Sequence, residues 1–269
     1  MNHMHAQDTP FSKLRLILRY LSYRIRAVNA HSLHSPFLFN LYTEAISRQE
    51  PDAALQKLDA LRRDLRKETR SILCTPLGTQ SGPQIQRKIS DFARDSGKSI
   101  EMVHLLYRLA RYLNPKSIIE LGTGLGISTS YLAAGAGDAR IVTVEGCPAT
   151  ATEAQKHFES ACLNDIQQIT GNFDDVLPEL LENYYPVDLL FIDGNHTREA
   201  TLRYFQTCLP YTGPSSLIIV DDIHWSPGME AAWEDIKQHP DVTITLDLFH
   251  LGLVFFRKES SWEDFVVIY

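Results

Sequence analysis

From Ser117 onward the apolar residues fall in short unbroken runs separated by longer amphipathic stretches. The runs are Ser117–Leu121, Arg140–Glu145, Ile166–Ile169, Val187–Ile192 and Leu217–Val220, with helix-compatible segments near 127–135, 149–160, 174–182 and 197–207 between them. Short apolar runs alternating with helices predict parallel strands covered on both faces, because each parallel crossover needs a helix. After another helix near 227–238, Val242–Leu248 and Gly252–Arg257 are joined by only Phe249, His250 and Leu251. So short a link cannot cross a sheet, and this last pair is therefore antiparallel. The pattern predicts an α/β fold of seven strands, doubly wound and mostly parallel, with an antiparallel C-terminal hairpin.

Before residue 97 the spacing is helical. Phe11 to Val28 places Leu14, Leu18, Leu21, Ile25 and Val28 four and three residues apart. Ser35-Pro36 opens a second helix, and Pro51 a third through Leu55, Leu58, Leu61 and Leu65. Thr75 to Pro83 reads as a loop, followed by helices over about residues 83–95 and 98–113. The chain thus divides into an N-terminal helical extension (1–97), an α/β domain (98–258) and a tail (259–269). Lys13, Arg15, Arg19, Arg24 and Arg26 make the first helix basic, with no acid among residues 11–28. Such a helix can lie on an anionic membrane surface. The commoner use of an apolar stripe is packing on its own domain or a second subunit, so docking on the domain or a homodimer through this helix is expected.

Composition narrows the function classes. At 269 residues, 44% hydrophobic and 22% charged, the chain is ordinary for a globular protein. A net charge of −7 argues against sequence-independent nucleic-acid binding, which rests on Lys and Arg neutralising phosphates. Cys74, Cys147, Cys162 and Cys208 are widely spaced, suggest neither a zinc site nor a disulfide framework, and point to a reducing cytoplasm. The first ten residues lack a signal-peptide core, and no apolar run is long enough to span a bilayer.

The chemistry centres on Ile118-Ile119-Glu120-Leu121-Gly122-Thr123-Gly124-Leu125-Gly126-Ile127-Ser128, a strand, a glycine turn and a helix start. Glycines allow positive-φ turns and let a ligand lie against bare main chain, and the helix start presents free N–H groups. A phosphate loop needs Gly-Lys-Ser/Thr, but Ile127 follows Gly126. A dinucleotide fingerprint needs G-x-G-x-x-G, which the glycines at 122, 124 and 126 do not supply. A carboxylate at Glu120 suits a cationic ligand. The E-x-G-x-G-x-G form resembles the first motif of the class I S-adenosylmethionine (AdoMet)-dependent methyltransferases, which have a Rossmann-like sheet ending in an antiparallel hairpin. That resemblance implies cofactor contacts from Glu120, Gly122, Thr123, Gly124, Gly126 and Ser128. It also implies that Glu145, ending the second strand, accepts the ribose hydroxyls. Asn172 would offer a carbonyl to the adenine amine, and Phe173 would pack on the adenine face.

The fourth and fifth strands end in Asp193-Gly194-Asn195-His196 and Asp221-Asp222-Ile223-His224-Trp225. Carboxylates gathered at one rim repel unless neutralised, and magnesium with its oxygen ligands would do so. The arrangement is similar to the metal-dependent O-methyltransferases of the catechol, caffeoyl-coenzyme A and macrocin types. This implies Asp193, Asp221 and Asp222 as Mg2+ ligands, with Asp193 also facing the cofactor, and a small-molecule hydroxyl as methyl acceptor. His196 stands where catechol-type enzymes have a lysine base, and His224 is the reserve base. Asn195 stands where macrocin-type enzymes have an acid, so neither family's base is kept. The opposing reading is that Asp193 and Asp222 merely cap the helices that follow. Two functional alternatives remain, an NAD-dependent oxidoreductase on a similar sheet and a non-catalytic AdoMet-binding or interaction protein. The Thr79–Pro83 loop is a candidate lid.

Overall fold

The computed structural model describes residues 6–33, 35–47, 53–75, 84–95, 98–259 and 261–269. The helices are α1 (Lys13–Arg26), α2 (Pro36–Leu41), α3 (Ala53–Leu65), α4 (Ile89–Asp95), α5 (Ile100–Leu113), α6 (Ile127–Ala136), α7 (Pro148–Ala161), α8 (Phe173–Asn183), α9 (Arg198–Cys208) and α10 (Pro227–Lys237). The strands are β1 (Ser71–Cys74), β2 (Ile85–Lys88), β3 (Ser117–Leu121), β4 (Arg140–Glu145), β5 (Ile166–Thr170), β6 (Leu189–Ile192), β7 (Leu217–Asp221), β8 (Ile244–Asp247), β9 (Leu251–Phe255) and β10 (Glu263–Val266). The chain forms two compact units, Asn40–Val176 and a second made of Met1–Phe39 with Leu177–Tyr269.

In the first unit β3, β4 and β5 are parallel, with Ile118 opposite Ile141 and Ile141 opposite Ile166. Every residue of β3 is buried, as the unbroken apolar run requires. α5 starts at a Ser99 cap, which accepts the Met102 N–H (3.3 Å), and ends on Asn114 in the left-handed conformation. It lies so close to α6 that a Cβ on Gly135 would stand 2.3 Å from the Tyr107 carbonyl oxygen. Leu55 and Leu58 of α3 join Val103, Tyr107 and Tyr131 in one buried cluster. Leu65, Ile89 and Ala93 join Leu125, within the glycine turn, in another. α3 and α4 therefore brace the turn itself. β1 and β2 pair antiparallel, where the sequence reads as a loop edge and the start of a helix. The Thr79–Pro83 lid candidate lies outside the described residues.

In the second unit the strand order is β10-β8-β9-β7-β6. β6 and β7 are parallel, β9 is antiparallel to both β7 and β8, and this is the C-terminal hairpin the short link predicts. The fold is thus α/β and mostly parallel, with that hairpin at its C-terminal side. β10, from the stretch read as a tail, adds a strand parallel to β8. Trp233 of α10 lies over β9, where a Cβ on Gly252 would meet its ring at 2.6 Å.

α1 docks by the face opposite its aliphatic stripe. Tyr23 is buried, donates to the Val267 carbonyl (2.5 Å) and accepts the Tyr269 N–H (3.2 Å). Tyr20 meets Phe249 edge-on at 5.1 Å, Arg19 pairs with Glu230 of α10 at 3.0 Å, and Val28 bridges to Val267. Leu14, Leu18, Leu21 and Ile25 are exposed. The stripe therefore does not pack on the domain as expected, because the tyrosines fill the contact instead. Ahead of the helix, the buried Asp8 carboxylate accepts the Arg198 N–H (3.1 Å) at the start of α9.

Candidate functional site

The glycine turn joins β3 to α6. Gly122, Gly124 and Gly126 all have positive φ (108°, 53° and 76°), which an L side chain rarely adopts. Gly126 is also pressed against α7, where an added Cβ would meet the Phe158 ring at 2.6 Å. The imidazole of His157, one residue earlier, lies 2.6 Å from the Leu125 carbonyl through Nδ1, and burial holds that histidine below its usual range. Phe92 of α4 stands over Gly124 at Cβ contact distance, 3.5 Å.

Glu120 is sealed beneath the turn rather than facing a ligand. Its Oε2 accepts from the hydroxyl of Thr129 on α6 and from that of Thr143 on β4 (2.6 Å), while Thr123 and Thr143 share a 2.6 Å hydroxyl contact. The carboxylate ties strand, turn and helix together. Ser128, in the first turn of α6, is buried as well. Glu145 ends β4 with one oxygen accepting the Gly124 N–H (2.8 Å) and the other the Cys147 N–H (2.9 Å). These two bonds fix the carboxylate at the mouth of the turn, and a carboxylate is the group that accepts from both hydroxyls of a vicinal diol. After β5, Asn172 caps α8, its side-chain oxygen accepting the Asp174 N–H (3.3 Å), and Phe173 is buried. The Asn172 side chain thus serves the helix start.

The second unit assembles the acids. Asp193 follows β6, Asp221 ends β7 fully buried, and Asp222 follows with φ +53°. Asn195 also has positive φ, +65°, and donates to the Tyr204 hydroxyl (3.0 Å). Both loops thus carry a left-handed residue of the types that tolerate it, and such conformations gather at functional sites. Neither acid caps a helix. Thr197 and Asp8 hold the start of α9, and Ser226 accepts the Met229 N–H (3.1 Å) at the start of α10.

Asp193, His196 and Asp221 bring ligand atoms within 4.8 Å of one another. His196 Nε2 lies 3.8 Å from Asp193 and 3.9 Å from Asp222. Two ligands about 2.1 Å from one ion stand at most about 4.2 Å apart, and the His196–Asp193 and His196–Asp222 distances fall inside that limit. Asp193 and Asp221 of the expected set lie in the cluster, His196 joins them, and Asp222 faces its imidazole. Oxygen donors suit magnesium, and one imidazole nitrogen widens the set toward manganese, iron or zinc.

His224 does not qualify as a base. Its Nδ1 meets Glu230 at 3.0 Å and its Nε2 meets Asp247 at 2.8 Å. Burial alone would depress it, but the two carboxylates override burial and raise it to about 9. An imidazolium with both nitrogens engaged cannot take a proton. The clamp was hidden in the sequence because Asp247 lies 23 residues away, on β8.

The family described as methyltransferase domain matches residues 119–223, from within β3 to just beyond β7. A catechol O-methyltransferase of Niastella koreensis is 38% identical over 121 residues, 44% of this chain and 54% of that protein. One from Mycobacterium tuberculosis is 32% identical over 139 residues, 51% of this chain and 61% of the relative. The chain spans little more than half the length of these curated relatives. Among solved structures, a Bacillus cereus O-methyltransferase in complex with S-adenosylhomocysteine superposes with a TM-score of 0.55 and 21% identity, over 81% of this chain and 97% of that one. A Streptomyces achromogenes O-methyltransferase of tomaymycin synthesis, in complex with AdoMet, gives 0.55 and 23% over 81% and 95%. These structures share the fold.

Proposed function

We propose that this chain, whose residues 119–223 carry a methyltransferase domain, transfers the methyl group of AdoMet to a hydroxyl oxygen of a small molecule. The observation that carries the reading is Glu145, anchored by the Gly124 and Cys147 N–H groups at the mouth of a positive-φ glycine turn, where a carboxylate suits a ribose diol. The relatives named catechol O-methyltransferase and the AdoMet-bound fold neighbour support it. An NAD-dependent oxidoreductase finds no such support, and the glycine spacing lacks its fingerprint.

Asp193, His196 and Asp221 would hold a divalent cation, magnesium in the first instance, which makes a coordinated hydroxyl more acidic. The residues of the chain then have separable tasks. The buried Glu120 network fixes the turn, Glu145 would orient the cofactor, and the acids of the second unit would bind the acceptor oxygen. His196 Nε2, between Asp193 and Asp222, would be a ligand of that cation, and only without the cation would it serve to accept the acceptor proton. The four free cysteines support a reducing, cytoplasmic setting.

Calorimetric titration with AdoMet, followed by methyl transfer to catechol with added magnesium and in chelator, tests the proposal. Micromolar binding and magnesium-dependent transfer are expected. Binding without transfer to any hydroxyl acceptor would favour the non-catalytic reading, and absence of binding would refute both.

A further inference from the structure

We propose that the outward face of α1 is a docking surface for an anionic lipid bilayer. Leu14, Ile17, Leu18, Leu21 and Ile25 are 67%, 56%, 57%, 52% and 85% exposed. At about 100° per residue they fall within an arc of roughly 100°, and the buried Tyr23 lies on the opposite side of the helix. The helix is thus held by its tyrosine face, with an aliphatic stripe turned to solvent. Lys13 and Arg24 border one edge of that stripe, and Arg15 and Arg26 border the other. Arg19 sits further round and is spent on Glu230.

Apolar residues between two basic borders are the layout of a helix lying in a membrane interface. The aliphatic side chains enter the acyl boundary while the basic heads stay among the phosphates. Charge complementarity selects this occupant. The helix carries five basic residues and no acid on a chain of net charge −7, so its charge is local rather than a property of the whole surface. A second copy meeting it by the same patch would set these cations against one another. The area also falls short for a dimer. A helix of 14 residues is about 21 Å long and roughly 10 Å wide, an area near 200 Å2 against about 800 Å2 per partner in a stable interface. No helix among the described residues is long and apolar enough to cross a membrane, so the contact is peripheral.

The test is sedimentation of the full chain with vesicles of equal parts phosphatidylglycerol and phosphatidylcholine. The wild type is expected in the pellet at low salt, to remain in solution with phosphatidylcholine alone, and to be released by salt. Leu18→Gln with Ile25→Gln should lower vesicle partition at least about tenfold while circular dichroism and AdoMet affinity stay unchanged, since both side chains are exposed. Lys13→Glu with Arg24→Glu should do the same. Failure of the wild type to pellet at low salt overturns the proposal, as does undiminished binding of the Leu18→Gln, Ile25→Gln variant. A dimer by light scattering that this variant splits, with no vesicle binding, assigns the face to a second copy instead.

Discussion

Replacing Gly126 by alanine strains the turn twice over. The position has φ +76°, where an alanine costs about 1–2 kcal/mol. Its Cβ would stand 2.6 and 2.8 Å from two ring carbons of Phe158 and 3.3 Å from the Ala154 Cβ, all on α7. Phe158 is buried and cannot swing away, so overpacking adds about 1–3 kcal/mol. The stiffer unfolded chain returns about 0.4–1 kcal/mol. The net loss is about 3 kcal/mol, or roughly 6–12 °C in melting temperature for a chain of this size. Gly137→Ala is the control for AdoMet binding. It has nothing within 4 Å of an added Cβ, so backbone strain acts alone, and at φ +60°, ψ −117°, outside the left-handed region, that strain is about 1–3 kcal/mol. Thermal unfolding of both variants, with AdoMet titration of each, is the test. Gly126→Ala should also lose at least about tenfold in AdoMet affinity, whereas Gly137→Ala should keep it. A Gly126→Ala melting temperature equal to the wild type's would refute the steric argument, and unchanged affinity in Gly126→Ala would remove the turn from the cofactor site.

The other expectations are shorter. Glu145→Gln sets an amide donor against either the Gly124 or the Cys147 N–H, so AdoMet affinity should fall about tenfold and stability by about 1–3 kcal/mol, which calorimetry and thermal unfolding would read. His196→Gln should lower kcat by about a hundredfold or more at unchanged AdoMet affinity, and a parallel loss of affinity would place His196 in the wrong site. Asp221→Ala should abolish magnesium-dependent turnover and leave AdoMet binding in place, so equal turnover, or full activity in chelator, would remove the cation from the scheme. His224 is raised from 6.5 to about 9, so its clamp contributes fully below pH 6.5 and is lost as pH rises through 9. Denaturant unfolding should show the wild type losing about 3 kcal/mol across that window relative to His224→Gln, and parallel curves would contradict the clamp.

The sheet was legible because its residues carry the signal locally. Ser117–Leu121 and Arg140–Glu145 are strands with the bounds their apolar runs predict, and the three-residue link at Phe249 forced the antiparallel hairpin. The glycine turn was legible for the same reason. What stayed hidden depends on distant partners. Ile85–Lys88 is polar enough to read as a helix start, and only pairing with Ser71–Cys74 makes it a strand. Glu263–Val266 becomes a strand by lying beside Ile244–Asp247. Spacing offered His224 as a base, but carboxylates reaching it from α10 and β8 engage both ring nitrogens, and the partner on β8 leaves no mark in the local sequence.

The bond from the Tyr23 hydroxyl to Val267 joins residues 244 positions apart, and Asp8 reaches Arg198 across 190. During synthesis α1 therefore emerges from the ribosome long before its seat exists. Closing so large a loop is slow, because the entropy is lost before the contact forms. Docking of α1 therefore waits until β10 and the residues beside it have been made, and belongs to the last steps of folding.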